Sequence, residues 1–83
     1  MMQMKIVVKY FAGLRDITGK ESEILEIQGI TRVSELLSYL MRRYPELKKA
    51  SDIIVARNRA FVEEEAEVSE NDEIALLPPV SGG

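Results

Sequence analysis

The chain has 83 residues, 46% of them hydrophobic and 30% charged, a balance typical of one folded domain and not of a disordered or collagen-like segment. It contains no cysteine and no histidine, which excludes disulfide frameworks, zinc knuckles, iron–sulfur sites and catalysis by either side chain. With 11 basic and 14 acidic residues the net charge is -3, which disfavours nucleic-acid binding and suits a partner with a basic face. No apolar run of membrane-spanning length and no signal-peptide pattern is present, so the sequence predicts a cytoplasmic protein without membrane contact.

The first part of the chain is predicted to form two strands joined by a wide loop. Residues 4–11 carry apolar side chains at both alternating sets of positions, which is typical of a central strand. Residues 12–19 contain two glycines and are predicted to form a loop with room for one helical turn. A second strand is predicted at residues 22–28, where Gly29 ends it.

The clearest predicted element is a helix that starts after Thr31 and ends at Tyr44. Thr31 is predicted to cap it by accepting a hydrogen bond from a first-turn amide, and Pro45 stops it. One face of this helix is apolar throughout, and it is formed by Val33, Leu36, Leu37, Leu40, Met41 and Tyr44.

Three further strands are predicted, at residues 52–56, 61–62 and 73–77, with turns at residues 58–59 and 69–72. In this order, a single helix can cover one face of a mixed sheet and enclose one core. The sequence therefore predicts an α+β domain of the β-grasp, ubiquitin-like, type over residues 1–77. Its first and last strands are expected to be central because both are rich in apolar residues.

Charged residues of the second half offer two weak candidates for a binding site. Four acidic residues lie close together, but no glycine-turned ligand loop accompanies them, so a solvated surface loop is favoured over a cation site. These residues are Glu63, Glu64, Glu65 and Glu67. Arg57 and Arg59 are interpreted as part of an exposed turn and not as an anion site. The sequence predicts no metal site.

The C-terminal segment, residues 78–83, is predicted to be an extended tail. It consists of Pro78, Pro79, Val80, Ser81, Gly82 and Gly83. The prolines favour an extended path away from the sheet, and six residues at about 3.3 Å each reach about 20 Å. Glycine lets both walls of a narrow tunnel approach the backbone. Such a tail would deliver the Gly83 carboxylate, which becomes an acyl donor once it is activated.

Two segments of the chain resemble the MoaD/ThiS family of ubiquitin-like sulfur carriers. Residues 71–83, Asn-Asp-Glu-Ile-Ala-Leu-Leu-Pro-Pro-Val-Ser-Gly-Gly, resemble the family's acidic turn, strand, Pro-Pro-Val, small hydroxyl residue and Gly-Gly. Residues 11–19, Phe-Ala-Gly-Leu-Arg-Asp-Ile-Thr-Gly, resemble its Phe-Ala-x-Leu-Arg-acid-x-x-Gly segment. The resemblance covers essentially the whole chain, and within the family it is strongest to the small subunit of molybdopterin synthase.

This resemblance implies a carrier that is not catalytic alone and binds no cofactor permanently. An adenylating activating enzyme would use ATP to activate Gly83, and sulfur from a persulfide would displace AMP and leave a C-terminal thiocarboxylate. The tail would then enter the large subunit of molybdopterin synthase. There the sulfur would build the dithiolene of molybdopterin from cyclic pyranopterin monophosphate.

The last strand is predicted to present a docking surface to that large subunit. Ile74 and Leu76 are assigned to the face against the helix, which leaves Ala75 and Leu77 outward at the base of the tail. Leu77 is the expected anchor in a partner pocket, the alternative being that it only covers its own sheet. Three other functions stay open: a protein modifier joined to a lysine, a sulfur carrier for tRNA thiolation or thiamine synthesis, and a plain interaction module whose Gly-Gly is accidental.

Overall fold

The computed structural model of the protein describes residues 3–50 and 52–79, which form five strands, two α-helices and a short 3-10 helix. The order along the chain is β1 (Met4–Tyr10), α1 (Gly13–Thr18), β2 (Ser22–Ile27), α2 (Val33–Arg43), the 3-10 helix (Pro45–Lys49), β3 (Ile54–Arg57), β4 (Ala60–Val62) and β5 (Glu73–Leu77). The predicted α+β class is therefore confirmed. Within the described residues, no helix is long and apolar enough to cross a membrane.

The strands form one mixed sheet in the order β2-β1-β5-β3-β4. β1 pairs antiparallel with β2 and parallel with β5, and β3 pairs antiparallel with β5 and with β4. The first and last strands are thus central, as predicted, which explains why both faces of β1 carry apolar side chains. Parallel neighbours require a long crossover connection, and α2 lies within the one that leads from β1 to β5. This is the predicted β-grasp arrangement.

The core lies between α2 and one face of the sheet, which we call the inner face. The strands supply Ile6, Val8, Tyr10, Leu25, Ile27, Val55, Ile74 and Leu76, and α2 supplies Val33, Leu36, Leu37 and Leu40. Each such side chain contributes about 1.5–3 kcal/mol when it is fully buried. The predicted apolar face of the helix is confirmed, since its first four positions are buried in this cluster and the last two, Met41 and Tyr44, pack against it.

Residues 12–19 are more regular than the sequence predicts. They contain α1, whose six residues bury Leu14 and Thr18. The helix ends at Gly19, which has a φ of 75°. That left-handed conformation favours glycine. The two glycines that suggested a loop lie at the two ends of the helix and do not interrupt it.

The start of α2 is held differently from the prediction. Arg32 is the N-cap residue, and the Thr31 hydroxyl donates a hydrogen bond to the Glu35 carboxylate at 2.9 Å. The amides of Thr31 and Arg32 donate to the same carboxylate at 2.8 and 3.0 Å. These hydrogen bonds, with the Thr31 amide first, hold the pKa of Glu35 below its usual range. The prediction that the Thr31 hydroxyl accepts from a first-turn amide is wrong, whereas the predicted end before Pro45 is confirmed.

Candidate functional site

The predicted tail leaves the sheet from a central strand. β5 lies between β1 and β3 and ends at Leu77. Pro78 is half-buried and Pro79 is exposed, so the chain emerges from the domain within two residues of β5. A proline nitrogen has no hydrogen to donate, which prevents these residues from extending the strand pairing. The remaining predicted tail residues, Val80, Ser81, Gly82 and Gly83, lie outside the described residues, and their roles stay predictions.

The predicted orientation of β5 is confirmed by burial. Ile74 and Leu76 are 0% exposed on the inner face, where Leu76 pairs with Tyr10 of β1. Ala75 and Leu77 point to the opposite, outer face and are half-buried. Their side chains are therefore accessible to a partner at the base of the tail. That a partner binds them stays a prediction.

The outer face carries an apolar patch around the end of β5. Leu77 pairs with Ile54, and Ala75 pairs with Ala56, across the β5–β3 boundary. Phe11 follows β1 directly, donates its amide hydrogen to a β5 carbonyl at 3.1 Å and is 38% exposed. We call these residues the outer patch: Phe11, Ile54, Ala56, Ala75 and Leu77. The patch covers the neighbouring ends of β3 and β5 and the residue that follows β1, and exposed apolar surface of this kind is typical of an interaction site.

Charged side chains border the outer patch. Lys9 of β1 lies beside Ala75 in the strand register, and its Nζ is 3.6 Å from a carboxylate oxygen of Glu73. Both side chains are more than a quarter exposed, so this ion pair contributes little to stability. It places polar groups beside the apolar patch, as is common at the rim of interfaces.

A buried carboxylate that the sequence analysis missed lies on the inner face of the sheet, close to the end of β1. The Glu23 side chain is 8% exposed and accepts hydrogen bonds from the hydroxyls of Tyr10 and Tyr44 at 2.5 and 2.8 Å. Lys20 donates to it at 3.2 Å, and Arg43 lies 3.7 Å away. Since Tyr10 pairs with Leu76, this cluster holds the end of β1 beside the last residues of β5.

The hydrogen bonds decide the charge state of this cluster. Burial alone raises the pKa of Glu23, but the hydrogen bonds from Tyr10, Tyr44 and Lys20 outweigh it and leave that pKa below its usual range. Burial and the hydrogen bond to Glu23 together raise the pKa of Tyr10 far above its usual range. At neutral pH the cluster therefore holds an ionised Glu23 carboxylate against the neutral phenol of Tyr10. A sequence signal existed, because Glu23 shares its strand face with Leu25 and Ile27.

The acidic and arginine candidates of the second half of the chain lie at or near the surface. Glu63, Glu64, Glu65 and Glu67 are exposed, and no group of three metal-ligating side chains occurs within the described residues. Arg59 is exposed in the turn between β3 and β4. Arg57 is half-buried, and its guanidinium donates to the backbone carbonyl of Glu67. The described part of the chain thus contains the outer patch and the point where the predicted tail leaves the sheet; a docking role for the patch stays a prediction.

Comparisons with known proteins match nearly the full length of the chain. The model of the ThiS family matches residues 8–83. A molybdopterin synthase sulfur carrier subunit from Arabidopsis thaliana is 31% identical over 81 residues, which cover 96% of this chain and 84% of that protein. A solved Pyrococcus furiosus protein assigned as molybdopterin converting factor, subunit 1, is 28% identical, with a TM-score of 0.84 over 93% of this chain and 99% of its own. Small archaeal modifier protein 1 from Methanosarcina acetivorans is 27% identical, with a TM-score of 0.80 over 100% of both chains.

Proposed function

The chain belongs to the ThiS family, and on that premise we propose that it is the sulfur carrier subunit of a molybdopterin synthase. The sulfur is held as a thiocarboxylate on Gly83. The observation that carries this proposal is that the family match extends through the tail to the final glycine. A relative with 31% identity has this function in its name, and a chain without cysteine has no thiol of its own on which to hold a sulfur atom.

Activation takes place at Gly83 on an adenylating enzyme. A carboxylate oxygen of Gly83 attacks the α-phosphorus of ATP, pyrophosphate leaves, and a mixed anhydride with AMP forms. The terminal sulfur of a persulfide attacks the carbonyl carbon, a C–S bond forms, and AMP leaves. A thiol then attacks the S–S bond of the resulting acyl disulfide, which releases the thiocarboxylate and leaves the thiol in a disulfide with the sulfur donor. The carrier contributes no catalytic side chain to these steps. It contributes a terminal carboxylate whose neighbours in the sequence are glycine and serine, on a six-residue segment long enough to reach about 20 Å when it is extended.

The outer patch positions this tail in the large subunit of the synthase. A partner that covers Leu77 and Phe11 fixes the place where Pro78 leaves the domain. The two prolines limit the directions that the chain can take from there. The sulfur then arrives at a set distance from the docking surface, where it is transferred to cyclic pyranopterin monophosphate to build the dithiolene.

The test is the intact mass of the purified chain after incubation with the activating enzyme, ATP and a persulfide donor. We expect the mass gain of one oxygen replaced by sulfur, located on the C-terminal peptide by fragmentation. Two matched variants complete the experiment. Deletion of Gly83 should abolish the gain, and Gly82→Val should reduce sulfur transfer to the synthase because a branched side chain widens the tip.

Two results would contradict the proposal. One is a chain without Gly83 that still acquires sulfur and supports molybdopterin formation. The other is a Gly82→Val variant with undiminished transfer, which would indicate an open groove in place of a narrow tunnel or a Gly-Gly without function. Because Gly82 and Gly83 follow the last strand, neither change should alter the melting temperature.

A second candidate function is protein modification, in which the activated Gly83 is joined to a lysine amine. It is favoured by the likeness over the whole chain to a protein named as a small archaeal modifier. Both functions share the adenylated intermediate, and the nucleophile decides between them. Incubation with the activating enzyme and ATP, with and without the persulfide donor, followed by a search for lysines that carry the C-terminal peptide of this chain, separates the two. Trypsin would leave residues 60–83 on such a lysine, because Arg59 is the last basic residue of the chain. A carrier for tRNA thiolation or thiamine synthesis would instead acquire sulfur yet fail to support molybdopterin formation with the large subunit.

A further inference from the structure

A cleft of about 540 Å³ lies between α2 and the β3–β4 hairpin. Its apolar wall is formed by Leu37 and Met41 of α2 and by Val55 and Val62 of the hairpin. We call it the edge cleft, because it opens beside β4, the last strand in the sheet order. It is not needed for the role of the tail, which leaves the domain from β5.

The border of the edge cleft is strongly acidic. Glu63, Glu64 and Glu65 are exposed along one side, and Asp52 adds a fourth carboxylate. Throughout the described residues, the ion pairs involve other acidic side chains and none of these four. Their charge is therefore available to a ligand.

The acidic border is held in place by backbone hydrogen bonds to α2. The amides of Val33 and Ser34 donate to the carbonyls of Ala66 and Glu64, both at 2.9 Å. First-turn amides have no hydrogen-bond acceptor inside their own helix, so these bonds also give two amides of α2 their acceptors. The amide of Ala66 also donates to the carbonyl of Glu63 at 3.0 Å, which closes the turn. A preformed border costs little conformational entropy when a ligand binds.

Among the described residues, no strand pairs with the outer edge of β4, which lies next to the cleft. Arg57 pairs with Ala60 across a two-residue turn, so Ala60 and Val62 direct their backbone groups to β3 and Phe61 directs its own outward. The Phe61 side chain is 77% exposed. An extended peptide can pair with such an edge, and every second side chain of that peptide then lies on the side of the cleft.

We propose that the edge cleft binds an extended basic segment of a partner protein. The segment pairs with the outward backbone groups of Phe61, places an apolar side chain between Met41 and Val62, and directs lysine or arginine side chains towards Glu63, Glu64 and Glu65. Charge complementarity selects this occupant, because the border carries carboxylates alone and the whole chain has a net charge of -3. The site stands whether or not Gly83 carries sulfur.

The experiment uses the full chain labelled with ¹⁵N and an eight-residue peptide in which valine alternates with lysine. Titration should shift the amide signals of residues 60–65 and of Met41 in a saturable manner, and the Phe61 amide should become protected from hydrogen exchange. A peptide in which valine alternates with glutamate is the matched control and should not bind. Saturable shifts confined to Phe11, Ala75 and Leu77, or no saturable shift with the lysine peptide, would overturn the proposal.

Two variants of equal net charge distinguish binding to the carboxylates of the edge cleft from general attraction to the net charge of the chain. Glu63→Gln/Glu64→Gln/Glu65→Gln should weaken the peptide about tenfold at low salt, since three exposed ion pairs are lost. Glu26→Gln/Glu46→Gln/Glu70→Gln removes three exposed carboxylates elsewhere and should bind within about twofold of the parent. Equal affinities of the two variants would show that only net charge matters and would refute the site. Met41→Ala should also weaken binding of the lysine peptide. Sedimentation of the parent chain should show a monomer, because a dimer formed through this face would contradict the proposal that a partner segment occupies it.

Discussion

Glu23 shows how a single charged residue joins separate elements of this domain. It connects β2 to the end of β1 through Tyr10 and to the end of α2 through Tyr44. Glu23→Gln keeps the volume but removes the charge and one acceptor oxygen, so we expect a loss of about 1–3 kcal/mol in the free energy of unfolding. Urea unfolding at neutral pH measures it. Glu26→Gln, on the exposed face of the same strand, is the control and should change stability by less than about 0.5 kcal/mol.

The same residue gives the domain an acid-sensitive component of stability. The hydrogen bonds keep the folded-state pKa of Glu23 below its ordinary value of 4.5, although burial opposes them. A depressed pKa stabilises the fold at pH values above the unfolded pKa, and this contribution is lost as the pH falls through the folded pKa. The parent should therefore lose stability on acidification more steeply than Glu23→Gln. Parallel curves of unfolding free energy against pH would contradict this assignment.

Single residues also mark the limit of what the sequence predicts. The strands around Val8 and Ile74 and the face of α2 follow from hydrophobic periodicity, because burial imposes that period on the chain. Glu23 was missed because its partner hydroxyls are 13 and 21 residues away in the chain, beyond any local pattern. The prediction for Thr31 was wrong for a related reason. A threonine hydroxyl that donates to Glu35 and one that accepts from a helix amide occur in the same sequence pattern, so the pattern does not distinguish them.

At the scale of elements, the turn between β3 and β4 carries a strained residue. Asn58 and Arg59 both have positive φ values, 52° and 73°, as a two-residue hairpin turn requires. Arg59→Gly relieves the left-handed conformation and should raise the free energy of unfolding by about 0.5–1 kcal/mol. Asn58→Gly should lower it, because the Asn58 side chain donates to Asp72 at 3.0 Å and accepts from the Glu73 amide at 2.9 Å. Thermal and urea unfolding distinguish the two, and equal signs would refute the argument.

The two faces of β5 predict opposite consequences for neighbouring leucines. Leu76 is 0% exposed, so Leu76→Glu buries an unpaired charge and should unfold the domain or cost more than about 3 kcal/mol. Leu77→Glu places its charge on the outer patch and should leave the domain folded. It should weaken binding to the large synthase subunit by more than about tenfold, as expected for a central apolar anchor. Melting curves and calorimetric titration test both variants, and an inverted pattern would make Leu76 the anchor.

At the scale of the whole molecule, the sheet has three surfaces with different roles. Its inner face packs against α2 to form the core, its outer face exposes the outer patch, and its β4 edge borders the acidic cleft. The alternation of side chains along β5 is sufficient to predict the first two from sequence. The edge cleft was not predictable in that way, because it depends on which strand is last in the sheet and on the backbone path of residues 63–66.

The predicted division into a domain over residues 1–77 and a tail over residues 78–83 can be tested on stability and activation together. The buried core of the described residues runs from Ile6 to Leu76, and Pro79 is already exposed. A chain that lacks residues 80–83 should therefore unfold within about 0.5 kcal/mol of the parent in urea. The same chain should not gain sulfur when it is incubated with the activating enzyme, ATP and a persulfide donor. A loss of more than about 1 kcal/mol would mean that the last four residues pack against the domain, and they would then not be free to reach into a partner.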